Sequence, residues 1–280
     1  MARLGAKPLK LDFDRIAHLL SPEVLSGKKV VQVGLGSGGA PVCDHLTMNG
    51  VRNWVLYDPE ILEGVNLVKH PRRRADLNKY KVEIQRDWIL DRNPEAAVEP
   101  RAEDVFISTA FRNDVGFCDL LVCCADKRDV RLFVNSVAVE LRKPCVTASV
   151  FRQGFGGEVH AYTPKTSGCF ECMERASTEQ GWNINDAIEP TSEEEQMIYG
   201  KSVRDFQASG LSMDIQTIAL IQARMSLDIL LADTTRSLPA IPYNWIIYYN
   251  RPIPKTGLGG FFRAQFFRTK PRRDCKCASQ

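Results

Sequence analysis

The run VVQVGLGSGGAPV at residues 30–42 changes character in its middle. Val30 to Val33 are mostly apolar and β-branched, as in a strand covered on both faces. Gly34, Gly36 and Gly39 then fit G-x-G-x-x-G, and APVCDHLTMNG (40–50) has helical spacing and stops at Gly50. NWVLYD (53–58) reads as the next strand and places Asp58 at its end, about twenty residues beyond the glycines. Glycines at such a turn let a phosphate approach a helix N-terminus, and a carboxylate so placed can accept from ribose hydroxyls. By themselves these features predict a Rossmann-type nucleotide site and leave NAD, FAD, adenosylmethionine and ATP open.

The alternation continues outward. KYKVEIQRDWILDRN (79–93) is compatible with a helix closed by Pro94, and residues 97–100, DLLVCCA (119–125) and PCVTASV (144–150) supply strands separated by helical stretches. That order predicts an α/β fold, a Rossmann-like doubly wound sheet that is parallel in its N-terminal half. From about residue 154 the pattern changes. GFGGEVHAYTP (154–164), NWIIYYN (244–250) and GFFRAQFFRT (260–269) read as antiparallel strands bounded by Gly and Pro. Between them lie a polar crossover stretch at about 173–210 and a long amphipathic helix over 211–232. Residues 11–26 read as a helical entry. The expected organisation is an N-terminal helical extension (1–27) followed by one domain (28–280) with a tail at about 268–280.

Composition narrows the setting. The 280 residues carry 37 basic and 34 acidic side chains, a net charge of +3 that draws the chain neither to nucleic acid nor to anionic lipid. No apolar run is long enough to span a bilayer and the N-terminus lacks a signal-peptide core, so a cytoplasmic protein is expected. Nine cysteines, an odd number, point to reduced thiols, metal ligands or core packing rather than a disulfide framework.

Two further features carry chemistry. After Asp58 the chain continues PEILEGVNLVKHPRRRADLNKYKVEI, an Asn and several cations that suit a triphosphate better than a dinucleotide. Lys69 and Arg72 to Arg74 also read as a solvated basic turn. Cys169 and Cys172 form C-x-x-C, while Cys275 and Cys277 form C-x-C; two such pairs can complete a tetrahedral Zn²⁺ site. A redox role for Cys169 and Cys172 is disfavoured because the pair reads as lying in a Gly-bounded turn, away from a helix N-terminus. Cys43, Cys118, Cys123, Cys124 and Cys145 read as core thiols. The four histidines show no ligand or triad spacing, with His70 the one near the cation run.

The chain resembles the ThiF/MoeB/HesA-type activators of ubiquitin-like proteins. The resemblance rests on VGLGSGG, LYD followed by NLVKH, NKYKVEIQRDWILDRNP, LLVCCADKRDVRLFVN and PCVTASVFRQGFGGEV, and it spans about residues 28–277. It implies that Gly34, Gly36 and Gly39 line an ATP pocket, that Asp58 holds the ribose, and that Asn66 and Lys81 contact phosphates. It implies also that Asp126 holds Mg²⁺ and organises in-line attack. The implied activity is adenylation of the terminal glycine carboxylate of a β-grasp protein in a conjugation pathway, with a homodimer and a conjugating enzyme as further partners. The implied alternative is sulfur-carrier activation for molybdopterin- or thiamine-type synthesis.

Two positions depart from the family pattern. Lys69 stands where that pattern has arginine, and only Arg15 is available as the N-terminal arginine that reaches a partner subunit. Many relatives carry a nucleophilic cysteine in the crossover, whereas this chain has none between Cys172 and Cys275; Lys201, Ser202 and Ser209 are the nearest substitutes, with Lys201 a candidate replacement for the cysteine. An NAD-binding oxidoreductase and a silent scaffold subunit are the competing classes. The first lacks a Tyr-x-x-x-Lys pair or a His–Asp proton-transfer arrangement.

Overall fold

The strands are β1 (Lys29–Val33), β2 (Asn53–Tyr57), β3 (Ala97–Arg101), β4 (Leu120–Cys123), β5 (Cys145–Val150), β6 (Gly156–Tyr162), β7 (Trp245–Tyr249) and β8 (Arg263–Phe267). In the computed structural model, which describes residues 11–182, 210–234, 237–253 and 256–279, they form one sheet in the order β3-β2-β1-β4-β5-β6-β7-β8. The first five strands pair in parallel and the last three add antiparallel. This is the expected doubly wound sheet with its antiparallel C-terminal half. Pro100, which has no N–H to give a ladder, lies in β3 at the sheet edge.

The helices are α1 (Pro22–Gly27), α2 (Gly39–Met48), α3 (Lys81–Arg92), α4 (Phe111–Gly116), α5 (Arg128–Glu140), α6 (Phe170–Glu179) and α7 (Ser212–Leu230). Period-two alternation divides the strands between two cores. Val30, Trp54, Leu56, Leu120, Val122 and Val146 pack with Val42, Leu46, Val82, Ile218 and Ala219 of α2, α3 and α7. Val31, Val33, Val55, Tyr57 and Leu121 pack with Phe111, Val115, Val134 and Val137 of α4 and α5. A third cluster, with Phe151, Phe170, Met173, Trp245 and Ile247, lies under the antiparallel strands.

The chain leaves β1 toward β2 and β3 on one side and returns to β4 on the other. A crevice therefore opens beyond the C-terminal ends of β1 and β4, the place where doubly wound sheets bind ligands.

Two local expectations are corrected. Residues 14–20 form turns, and helix begins only at Pro22, because proline holds Ser21 extended (φ −105°, ψ 95°). The polar stretch expected from 173 begins as α6, whose Phe170, Cys172 and Met173 are buried and whose Glu171 and Arg175 pair one turn apart. Lys201, Ser202 and Ser209 lie outside the described residues. No helix among the described residues is long and apolar enough to cross a membrane.

Candidate functional site

The glycine loop is built by close backbone approach. Gly34 has φ +91°, and a Cβ there would sit 2.9 Å from the Cys124 carbonyl carbon; one on Gly39 would sit 2.1 Å from the Gly34 oxygen. Only glycine lets the loop fold onto itself and onto the end of β4. At Gly36, by contrast, a Cβ would meet nothing within 4 Å, so the loop is open there to a ligand.

Buried polar groups hold this turn. Gln32 Nε2 donates to the carbonyls of Gly34 (3.1 Å) and Gly39 (2.7 Å). Asp58 Oδ2 accepts from Leu35 N at 2.7 Å, and its Oδ1 accepts from Glu60 N at 2.9 Å. Burial pushes the Asp58 carboxyl above its ordinary range, while Lys81 and the two amides pull the other way. His70 Nε2 lies 2.9 Å from the Leu35 carbonyl, which can only accept, so Nε2 carries the proton and the buried Nδ1 has no partner among the described residues. Burial is the main reason its pKa falls to about 4.

Two of the cations that follow Asp58 in the sequence are withdrawn from water to different degrees. Lys81, only 6% exposed, starts α3 and pairs with the exposed Glu60. Lys69 is half-buried, and burial lowers its pKa; Asp126 opposes that shift and Lys81 reinforces it. Lys69 is thus within electrostatic reach of both Asp126 and Lys81. Asp126 is exposed just beyond β4, and its loop is held from below by Arg131, which donates to the carbonyls of Ala125 (3.0 Å) and Asp126 (2.7 Å). Asn66 lies in a 3₁₀ turn (Gly64–Val68) and its Oδ1 accepts from Glu63 N at 3.0 Å, so its side chain closes the turn. Arg15 is exposed in the N-terminal turn.

Arg72 corrects the reading of a solvated basic turn. It is buried, donates to both oxygens of Asp44 (2.9 and 2.5 Å) and to Gln85 Oε1 (2.6 Å), and so locks the segment after Lys69 onto α2 and α3. Arg73 and Arg74 are exposed. On the opposite side, Ser212 Oγ at the start of α7 donates to the Lys69 carbonyl at 3.3 Å.

The four cysteines converge although 105 and 106 positions separate their partners. Cys169 Sγ lies 3.6 Å from Cys275 Sγ and 4.0 Å from Cys172 Sγ, and Cys172 Sγ lies 3.5 Å from Cys277 Sγ. All four are buried, with sulfurs within 4.8 Å of one another. A tetrahedron with bonds of about 2.3 Å has edges of about 3.8 Å, close to these separations of 3.5–4.0 Å, so the donor set fits Zn²⁺, C-x-C spacing included. The expected absence of a helix N-terminus is corrected: Cys169 caps α6 and Cys172 lies in its first turn. That dipole does not make Cys169 a reactive thiolate, because burial drives its pKa up to about 12.

Gln32, Arg131 and the His70–Leu35 link are missing from the sequence reading. Each is a contact to a backbone carbonyl, which no sequence motif marks, and the His70–Leu35 link also joins residues 35 positions apart.

The ThiF family pattern matches residues 11–247. Ubiquitin-like modifier-activating enzyme 5 of Caenorhabditis briggsae is 26% identical over 161 residues, 54% of this chain and 37% of that protein. Adenylyltransferase and sulfurtransferase UBA4 of Yarrowia lipolytica is 27% identical over 149 residues, 53% of this chain and 37% of that protein. This chain thus spans little more than a third of these relatives. Among solved structures, Escherichia coli MccB with ATP superposes with a TM-score of 0.68 at 18% identity, over 92% of this chain and 69% of that one, a likeness of fold. A family match over most of the sequence, on a doubly wound sheet with the glycine loop at its switch point, means that this chain belongs to the ThiF family.

Proposed function

We propose that this chain adenylates the C-terminal glycine carboxylate of a ubiquitin-like β-grasp protein, using ATP. Support for the reading comes from the glycine loop, open at Gly36 and tied through the Leu35 amide to Asp58, whose carboxylate feels the charge of the buried Lys81. A carboxylate oxygen attacks the α-phosphorus; the new O–P bond forms as the bond to the bridging oxygen breaks, giving an acyl-adenylate and pyrophosphate. Asp126 would hold Mg²⁺, which when bound would neutralise charge on the departing pyrophosphate. Lys69 and Lys81 draw the same charge, Asp58 orients the ribose, and the backbone at Gly34, Gly36 and Gly39 admits the phosphates. Asn66 adds a polar contact at the phosphate end.

Conjugation is the favoured pathway, since enzyme 5 of Caenorhabditis briggsae is named for ubiquitin-like modifier activation. The sulfurtransferase name of the Yarrowia relative keeps sulfur-carrier activation as the second reading. Cys43, Cys118, Cys123, Cys124 and Cys145 carry thiols that burial pushes up, and none lies in the crossover. In this reading the adenylate passes to an external acceptor, such as a conjugating enzyme, or Lys201 stands in place of a nucleophilic cysteine. Cys169, Cys172, Cys275 and Cys277 hold a structural Zn²⁺. A homodimer is part of the reading, and the exposed Val65, Val68, Leu211 and Met213, on the segments joined by the Ser212–Lys69 contact, are apolar surface that a partner could cover.

Calorimetric titration with ATP–Mg²⁺ and with NAD, on wild type and Asp126→Ala, tests the nucleotide assignment. Selective ATP binding weakened by the substitution is expected, followed by pyrophosphate exchange once a β-grasp protein ending in glycine is added. Preference for NAD, or exchange that never depends on such a protein, would overturn the reading.

A further inference from the structure

We infer that Glu60 is a displaceable counter-ion for Lys81: it holds the buried ammonium in place while the nucleotide is absent and yields when a phosphate arrives. The inference deepens the adenylation reading and rests on it.

Lys81 and Glu60 are tied twice, once through Nζ and Oε2 and once through Lys81 N donating to the Glu60 carbonyl at 3.0 Å. The pair is asymmetric. The Lys81 side chain is 6% exposed and that of Glu60 69%. A lysine with so little contact with water needs an anion to remain charged, and Glu60 is its direct ion-pair partner, with Asp58 acting through space. The backbone of Glu60 is itself anchored, because its N–H donates to Asp58 Oδ1 at 2.9 Å. Its side chain can therefore swing into solvent at small cost while the chain around it stays fixed.

A triphosphate reaching Lys81 would place a second anion beside the Glu60 carboxylate. Two like charges at one ammonium repel, and the mobile, solvated one is the one that leaves. The free protein thus keeps Lys81 charged and aimed at the crevice, and the ligand works against the pair it replaces. Removing the Glu60 charge should strengthen phosphate binding, whereas a metal ligand or a structural prop at this position would weaken it when removed.

The experiment is calorimetric binding of ATP to wild type and Glu60→Gln, first in a metal chelator and then with Mg²⁺, alongside melting temperatures with and without ATP. Tighter ATP binding by E60Q, about three- to tenfold in chelator, is expected. The nucleotide-free melting temperature should fall slightly while the ATP-induced rise grows. Glu60→Ala should behave alike. Weaker ATP binding in both conditions, in step with lost stability, would make Glu60 structural; unchanged binding in chelator with a raised Mg²⁺ requirement would make it a metal ligand. Either result overturns the inference and leaves the adenylation reading standing, whereas a wild type that binds no ATP overturns both.

Discussion

The amide of Leu35 donates to Asp58 Oδ2 at 2.7 Å, joining the glycine loop to a residue 23 positions further on. Asp58 therefore has two tasks, shaping the loop before any ligand arrives and offering its remaining lone pairs to that ligand.

Asp58→Ala removes the acceptor for two amides and should destabilise the free protein by about 2–3 kcal/mol. Asp58→Asn keeps one acceptor oxygen and should cost about half as much. Both should weaken ATP binding. Chemical denaturation beside calorimetry checks this: a pure ligand contact would leave stability unchanged.

His70 predicts an acid-side loss of stability. Its folded pKa of about 4 lies below the ordinary value of 6.5, so between those pH values the unfolded chain binds more protons than the native one. Stability then rises with pH across that window and is lost as pH falls through it, approaching about 3 kcal/mol below pH 4. The physical cause is that a second proton must go to Nδ1, buried without a partner. Asp58, raised by burial, acts in the opposite sense, so the term is isolated as the difference between wild type and His70→Gln. Parallel stability–pH curves for the two proteins would exclude it.

Metal removal should release the tail. Exposed pairs such as Arg175–Asp274 and Arg272–Glu179 contribute little each, so the four sulfurs are the strong tether. Purified protein should contain about one Zn²⁺ per chain. Cys277→Ser or a chelator should lower that content and admit protease cleavage near residues 268–279. Full zinc content in C277S would refute a four-cysteine site.

Arg72→Met leaves Asp44 buried without its guanidinium and should destabilise by about 3 kcal/mol or more. Changing both partners, Asp44→Leu with Arg72→Met, should cost less than R72M alone. A double-mutant cycle by thermal unfolding reads this directly, and additive losses would show that the pair is uncoupled.

Much of this was legible in one dimension, because a strand, a glycine turn and a helix are local events with local signatures. Residues 30–58 named the sheet, the loop and its carboxylate, and NLVKH with CADKRD named the charged groups. The cysteines were legible as two pairs that could share one tetrahedral site, whereas the separations between their sulfurs depend on β8 and the tail returning to α6. Arg72 looked like one of four solvated cations, and burial was decided by Asp44 and Gln85, which arrive on other helices. His70 offered no motif, since its partner is a backbone carbonyl and every residue has one. Local periodicity and residue chemistry specify elements and the kinds of group available. Which groups lose their water, and which charge meets which, depends on contacts between segments far apart in the chain, and those exist only once the sheet has closed over them.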